Sequence, residues 1–296
     1  MFFVVSGYLF AKGIGEDGWY AKKLHRRFKS LLVPYVFWDV AYWLLMAVLG
    51  IGSRLAGVEF GDLANVEGMM SAKWDLLGLN PLCFPALGLL WYVRVLLVLC
   101  VVSPIFYALC KYRGGGAIIL VLYVALVAYG VWNFSIPKNA ENWKYYLMQR
   151  IGCAGFVFFG AGTWLRSNVE KAVALKVPYG ISIPASLAGW LCLTCKDPVV
   201  TYAAIPLAVA GMWYTMRGVS LPGWLTAFAF PLYVMHAFFG VTCNAAKVAL
   251  PQDWLATHKN IIWMSTFAVM LFDSIAAAHL LRRLAPRFSA VAFGGR

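Results

Sequence analysis

Long apolar stretches, separated by short segments rich in charged residues, glycine and proline, dominate the pattern along this chain. A helix crosses the hydrocarbon layer with about 20 predominantly apolar residues, so runs of at least about 18 predict membrane spans. Eight runs qualify, at about 31–51, 84–109, 115–133, 146–165, 178–195, 199–216, 224–246 and 260–281. The pattern therefore predicts an all-α polytopic membrane protein with eight full transmembrane helices in one domain over 1–296.

A ninth apolar segment, Met1 to Ala11, is too short to cross the membrane. As a helix it extends about 16 Å, whereas the hydrocarbon core is about 30 Å thick. It therefore predicts a partial N-terminal helix that forms the end of a longer one. We expect a further helix to precede it, with translation beginning upstream of Met1.

The composition excludes both a soluble globule and a disordered chain. Hydrophobic residues make up 62% of the sequence, charged residues 12% and aromatic residues 16%. Soluble domains have about 45–50% apolar and about 25% charged residues, and disordered chains have few aromatic residues. Seven cysteines lie in or at the ends of the predicted spans. Because the pair Cys192 and Cys195 has no second pair or histidine cluster beside it, no metal site is expected.

The positive charge of the chain indicates membrane topology. The 25 Lys and Arg residues exceed the 12 Asp and Glu residues by 13, but they lie between apolar runs, so no nucleic-acid partner is expected. Cytoplasmic loops keep an excess of Lys and Arg. With the segment 12–30 in the cytoplasm, 16 basic residues fall on that side and seven on the other. The C-terminus is then cytoplasmic as well.

Five local patterns stand out and occur in a fixed order along the chain. They are Phe2-Phe3-Val4-Val5-Ser6-Gly7-Tyr8, the basic run 22–29 that leads into Leu31-Leu32-Val33-Pro34-Tyr35-Val36-Phe37-Trp38, Leu90-Trp91-Tyr92-Val93-Arg94, Pro231-Leu232-Tyr233-Val234-Met235-His236, and Leu280-Leu281-Arg282-Arg283-Leu284-Ala285-Pro286-Arg287. No nucleophile elbow surrounds Ser6, so Ser6 and Gly7 are expected to permit close contact between membrane helices.

Taken together, these patterns resemble the acyltransferase-3 family of membrane O-acyltransferases, which includes bacterial sugar and polysaccharide O-acetylases. The resemblance implies the family's ten-helix fold, here without its first helix and part of its second. It also implies transfer of an acetyl or short acyl group from cytoplasmic acyl-CoA, with acetyl-CoA the simplest donor, to a hydroxyl of a carbohydrate, cell-surface glycan or glycolipid acceptor. The expected location is the bacterial inner membrane, among membrane lipids.

The family places an arginine and, about ten residues later, a catalytic histidine in its first helix. Neither residue has a counterpart within this sequence, so neither assignment can be carried over. By the same resemblance, His236 belongs to a recurrent Tyr-x-x-His element. The candidate catalytic residues are therefore the ionisable groups within the apolar runs of this chain.

His236 and Arg94 are the candidate catalytic residues. His236 lies about 18 Å into the run that begins at residue 224, near the middle of the bilayer, where an ionisable group is costly unless it has a partner or a function. It would act as a general base or would simply hydrogen-bond between helices. Arg94 would either pair with Asp39 or Asp273, or stabilise the oxyanion formed when a hydroxyl attacks.

Arg26, Arg27 and Trp91 are the candidate donor-binding residues. Arginine grips phosphate through paired hydrogen bonds, and acyl-CoA carries several phosphate charges. Positive-inside bias alone would also place Arg26 and Arg27 at this position. Trp91 lies beside Arg94 in the sequence and would help to position the thioester.

Two other functional classes remain open at the level of sequence. A polytopic transporter or flippase would also use buried charges and broken helices, typically in two corresponding halves, and no such internal repeat is visible. A catalytically inactive scaffold would retain the helices and lack the first-helix histidine.

Overall fold

The computed structural model describes residues 2–56, 90–134, 153–168, 176–195, 197–216, 229–236 and 257–294, with a few single positions between 219 and 254. All regular secondary structure in these residues is helical, which confirms the all-α prediction. The helices are α1 (Phe2–Phe10), α2 (Trp19–Arg27), a π-helical turn (Phe28–Leu32), α3 (Val33–Ala56), α4 (Trp91–Val101), α5 (Ser103–Lys111), α6 (Gly115–Phe134), α7 (Cys153–Asn168), α8 (Tyr179–Leu193), α9 (Pro198–Met216), α10 (229–236), α11 (Lys259–Leu284) and α12 (Pro286–Phe293).

Within the described ranges, three helical stretches are long and apolar enough to cross a membrane. They are Trp19–Val48, Val199–Met216 and Asn260–Leu284, and the bent pair α4 and α5 makes a fourth if it is one broken span. These stretches coincide with four of the predicted runs and support an integral membrane protein. The count of eight stays a prediction, because parts of the runs 84–109, 146–165 and 224–246 lie outside the described residues and α8, in the run 178–195, is only 15 residues long.

The first span begins earlier than the sequence predicts. We expected a helix from about residue 31, but α2 begins at Trp19 and continues through the π-helical turn into α3. Pro34 has no backbone N–H and clashes with the carbonyl four residues before it. In the wider π turn the N–H of Val33 donates to the carbonyl of Phe28, five residues back. The helix thereby accommodates the proline without ending.

The predicted run 84–109 is not one straight helix. Its described part is divided between α4 and α5, which meet at Val102 with a bend of 58°. Pro104 cannot donate to the carbonyl of Cys100, four residues earlier. The Ser103 hydroxyl donates to that carbonyl instead, at 2.7 Å, and Ser103 is fully buried. The Ser-Pro pair therefore both bends the chain and satisfies the backbone group that the bend releases.

The chain divides into two compact units. Unit 1 comprises Met1–Leu24 and Val98–Leu221, and unit 2 comprises His25–Leu97 and Pro222–Arg296. The expectation of a single domain over 1–296 stays a prediction.

Glycine contacts bring helices of unit 1 together. A Cβ atom on Gly7 of α1 would overlap the carbonyl oxygen of Phe159 in α7, and one on Gly162 of α7 would overlap the carbonyl oxygen of Val4 in α1. Helices in lipid associate through such small residues, because lipid tails compete with any larger apolar contact. The expectation that Ser6-Gly7 permits close helix contact is confirmed at Gly7.

The core of unit 2 gathers side chains from α3, α4, α10, α11 and α12. Trp38 anchors the C-terminal helix to this core, because its Nε1 donates to the carbonyl of Ala292 at 2.7 Å and its ring stacks on Phe293 with centroids 5.9 Å apart. Gly294 ends α12 in the left-handed conformation, with φ at 69°, and a Cβ there would lie 2.6 Å from the carbonyl oxygen of Ser30. Helix α12 is thus fixed against the π-helical turn and the first part of α3.

Replacing Gly7 with alanine tests the packing of α1 on α7. The added methyl group has to displace backbone, so we expect a loss of about 1–3 kcal/mol in the free energy of unfolding. The measurement is the thermal unfolding midpoint of the detergent-solubilised protein. The matched control is Gly180→Ala in α8, where a Cβ meets nothing within 4 Å, and which should keep or slightly raise the midpoint. Equal midpoints for the two variants would contradict the contact.

Candidate functional site

Helix α4 carries Arg94 into the core of unit 2. Its side chain is only 8% exposed, and the neighbouring Val93 and Val95 are almost fully buried. Leu90, directly before the start of α4, is fully buried and belongs to the core. A guanidinium group does not lose its proton in proteins. Arg94 therefore holds a permanent positive charge inside unit 2.

Helix α3 brings a polar stripe to the same core. Tyr35, Trp38 and Tyr42 all belong to or pack against it, and they recur every three or four residues, which places them on one face of the helix. Asp39 lies on this face and is 0% exposed. A carboxylate this deep is costly unless it is paired. The stripe therefore places an acidic group in the same core as Arg94.

His236 lies on α10, directly after Val234 and Met235, which are both core residues. Its Nδ1 is 2.9 Å from the carbonyl oxygen of Leu232. A carbonyl only accepts hydrogen bonds, so Nδ1 must carry the proton for this bond to form, and Nε2 of the neutral ring then has a lone pair. His236 is half-buried, and Tyr233 lies one turn before it with ring centroids 6.4 Å apart. This tautomer suits an imidazole that accepts a proton at Nε2.

One tyrosine from the arginine helix and one from the histidine helix pack against the same core. They are Tyr92 on α4 and Tyr233 on α10. Tyr92 precedes Arg94 by two residues and Tyr233 precedes His236 by three. Because Val93 and Val234 share the core as well, the two candidate catalytic residues border one cluster of side chains.

The buried charges favour one pairing of Arg94 over the other. Among the residues that the structure describes, Asp39 and Arg94 are the buried charged side chains, whereas Asp273 on α11 is only half-buried. A half-buried carboxylate keeps part of its hydration, but a fully buried one depends on a partner. Asp39 is therefore the better predicted partner, and the pairing itself stays a prediction.

The basic run 22–29 divides into residues of different environments. Lys23 donates from Nζ to the carbonyls of Phe10 and Lys12 and lies 4.8 Å from the centre of the Phe10 ring. It thus satisfies carbonyls at the C-terminal end of α1. Arg26 is exposed and Arg27 is half-buried at the end of α2. Lys22, His25 and Lys29 are exposed as well, so exposure alone does not single out the two arginines as anion contacts.

One family model matches the whole chain. The model of acyltransferase-3, described as an acyltransferase domain, covers residues 1–296. The chain belongs to the acyltransferase-3 family. No curated protein and no solved structure matches it in the corresponding comparisons.

Membership of the acyltransferase-3 family, with the apolar helices, makes this protein an integral membrane acyltransferase in general terms. Such an enzyme needs a group that removes a proton from the acceptor and a positive charge or hydrogen-bond donors near the thioester carbonyl. All five predicted site residues, Arg26, Arg27, Trp91, Arg94 and His236, lie in unit 2. Trp91 is 38% exposed, so its ring remains partly accessible.

The aromatic residues around this candidate site were not predicted from the sequence. Tyr35, Tyr92 and Tyr233 surround the same core as Arg94 and His236. The signal in the sequence was the recurrence of aromatic and acidic residues at 35, 38, 39 and 42, one face of a helix in an otherwise apolar run. That pattern identifies a polar face, but only the packing shows which other helices share it.

A double-mutant cycle tests the partner of Arg94. Removing the charge of Asp39 alone should cost about 3–5 kcal/mol in the free energy of unfolding, because a buried charge loses its partner. We expect Asp39→Asn and Arg94→Gln together to cost less than the sum of the single changes, with a coupling of about 1–3 kcal/mol. The readout is unfolding in a mild detergent. The same cycle with Asp273→Asn should be additive, and coupling to Asp273 in place of Asp39 would overturn the assignment.

Proposed function

We propose that this protein transfers an acetyl or other short acyl group from acyl-CoA, most simply acetyl-CoA, to a hydroxyl of a sugar or cell-surface glycan. In this proposal it works in the inner membrane of a bacterium, with the C-terminus and the segment 12–30 in the cytoplasm. The observation that carries the proposal is a buried arginine in a core that a base-competent histidine borders, within a chain of the acyltransferase-3 family.

His236 is the proposed general base. With Nδ1 held by the Leu232 carbonyl, Nε2 accepts the proton of the acceptor hydroxyl as its oxygen forms a bond to the thioester carbonyl carbon. The tetrahedral intermediate then collapses, the carbon–sulfur bond breaks and CoA leaves as a thiolate. The imidazolium returns the proton to that sulfur, so the reaction forms one ester and one thiol and regenerates the neutral histidine.

Arg94 is the proposed oxyanion stabiliser. Negative charge develops on the thioester oxygen as the hydroxyl attacks, and a cation already fixed in a dry core stabilises that charge without reorganising. Asp39 would hold the guanidinium in place and reduce the cost of keeping it buried. The apolar surroundings also keep water away from the thioester, which favours transfer over hydrolysis.

Arg26 and Arg27 are the proposed contacts for the phosphate groups of the donor. Both occupy the last turn of α2, where Arg26 is exposed and Arg27 is half-buried. A guanidinium binds a phosphate through two parallel hydrogen bonds, which a lysine cannot reproduce. Trp91, on the helix that carries Arg94, would position the thioester end.

Substitution of His236 tests the proposed base. Acetyl transfer from radiolabelled acetyl-CoA to a panel of sugars and envelope glycans, with the protein in lipid nanodiscs, should detect the activity of the unaltered chain. His236→Gln should lower kcat by about 10²–10⁴-fold while the unfolding midpoint stays close to normal. The matched control is His279→Gln, at an exposed position of α11 in the same unit, and it should retain full activity. Equal rates for the two variants would remove His236 from the mechanism.

Neutralising the two donor-binding arginines should weaken acyl-CoA binding without blocking chemistry. We expect Arg26→Gln with Arg27→Gln to raise KM for acetyl-CoA by about tenfold or more, because charge-assisted hydrogen bonds to phosphate are lost, and to leave kcat at saturation nearly unchanged. Arg283→Gln with Arg287→Gln removes the same charge from two exposed positions near the C-terminus. If both double variants raise KM equally, the effect is a general loss of positive charge and the contact is refuted.

A further inference from the structure

Unit 1 contains an apolar cavity of about 410 Å³ that the proposed catalytic site does not use. Helices α1, α6, α7 and α9 line it. On α6 the lining extends from Gly116 to Tyr123, on α7 from Val157 to Leu165 and on α9 from Ile205 to Tyr214, with lining residues at every third or fourth position. This is the spacing of a single helix face. Its volume lies within the range of about 300–1,000 Å³ that is usual for small-molecule sites.

The lining of the cavity extends along its helices. It covers eight to ten residues on each of α6, α7 and α9, and the first and last of them lie about 10–14 Å apart. At one end Gly116 faces the ring of Trp164, and at the other the rings of Tyr123 and Phe158 lie 6.0 Å apart. The cavity therefore runs along the helix axes, and we call it the slot.

The slot opens sideways, towards the surface that lipid covers in a membrane. Leu120 lines it and is 61% exposed. Pro206 and Ala210 of α9 also line it and are also exposed. Exposed apolar side chains midway along apolar helices contact acyl chains in a bilayer. A molecule that enters here comes from the hydrocarbon layer.

Arg166 brings positive charge to the Gly116 end of the slot. Tyr8 lines the slot, and Arg166, the residue after Leu165, donates from a terminal nitrogen to the Tyr8 hydroxyl at 3.1 Å and lies 5.0 Å from the centre of its ring. Asn168 ties this end of α7 to α5 through the Cys110 carbonyl at 3.4 Å.

We propose that the slot binds one acyl chain of an anionic phospholipid, with the headgroup phosphate at the Arg166 end. The apolar slot provides a site for the hydrocarbon, and the Arg166 guanidinium complements a negative headgroup. The sideways opening favours a lipid of the bilayer over a water-soluble ligand. This site is separate from the proposed acyl transfer, and neither proposal requires the other.

Photolabelling tests the site directly. The probe is a phosphatidylglycerol with a diazirine partway along one acyl chain, added to the full-length protein in nanodiscs. Labelled peptides should map to the lining of α6, α7 and α9, and unlabelled phosphatidylglycerol should compete. A phosphatidylcholine probe with the same chain should label the slot about fivefold less, since it lacks the net negative charge. Labels confined to other exposed positions, such as Leu187 on α8, would show surface lipid only and overturn the proposal.

Two pairs of variants test the contact with the acyl chain and the contact with the headgroup separately. Ala210→Phe should reduce labelling of the slot about tenfold, because each methylene kept out of the slot loses its burial. The matched control is Ala203→Phe, at an exposed position of α9 outside the lining, and it should label normally. Arg166→Gln should remove the preference for phosphatidylglycerol, and Arg166→Lys should retain most of it.

A long-chain acyl-CoA also carries an acyl chain and phosphate groups, so it is the competing ligand. Palmitoyl-CoA should displace the phosphatidylglycerol label only weakly. If it displaces the label at lower concentration than phosphatidylglycerol does, the slot belongs to an acyl donor and the lipid assignment is wrong. Normal labelling of the slot in Ala210→Phe would also refute the proposed lipid site. Loss of acetyl transfer in His236→Gln with normal labelling would show that the two sites fail independently.

Discussion

A chain surrounded by hydrocarbon has to satisfy its polar backbone groups from within, because no water is present to do so. The places where this chain departs from a straight helix show how it meets that requirement. The π turn before Pro34 finds another acceptor for the Val33 amide, and the Ser103 hydroxyl replaces the amide that Pro104 lacks. After the end of α1, the ammonium group of Lys23 donates hydrogen bonds to the carbonyls of Phe10 and Lys12. Each irregularity therefore carries its own compensation.

The same constraint applies to the charges inside unit 2, because they too are removed from water. An arginine and an aspartate in one core are expensive to bury, and apolar residues of similar size would often be at least as stable. A function that needs a fixed charge in a dry environment accounts for that cost. In the proposed mechanism, Arg94 supplies a cation whose surroundings do not need to reorient when an oxyanion forms. In the same mechanism, the Leu232 carbonyl holds His236 in the tautomer that a base requires.

The sequence predicts those features that depend on local pattern. Long apolar runs predicted the helices of 115–134 and 259–284, and the small pair Ser6-Gly7 predicted a close helix contact. Charges within apolar runs likewise indicated that Asp39, Arg94 and Asp273 are buried, which is correct for Asp39 and Arg94, whereas Asp273 is half-buried. The bend at Val102 and the early start of the first span were missed, because both depend on how a neighbouring side chain or turn compensates a proline. The role of Lys23 was also hidden, since positive-inside bias predicts the same residue for a different reason.

The slot in unit 1 forms because small and large residues occupy different positions on its helices. Gly7 and Gly162 draw α1 and α7 to backbone contact, whereas Tyr8, Trp164 and Trp213 place large rings at one end of the slot. Protein interiors are packed to near-crystalline density, and an empty gap loses its dispersion contacts outright. Leucine at Ala161 or Ala210 would fill the space at little cost to helix formation. The presence of alanine there is consistent with a slot filled by a hydrocarbon that the chain does not itself provide.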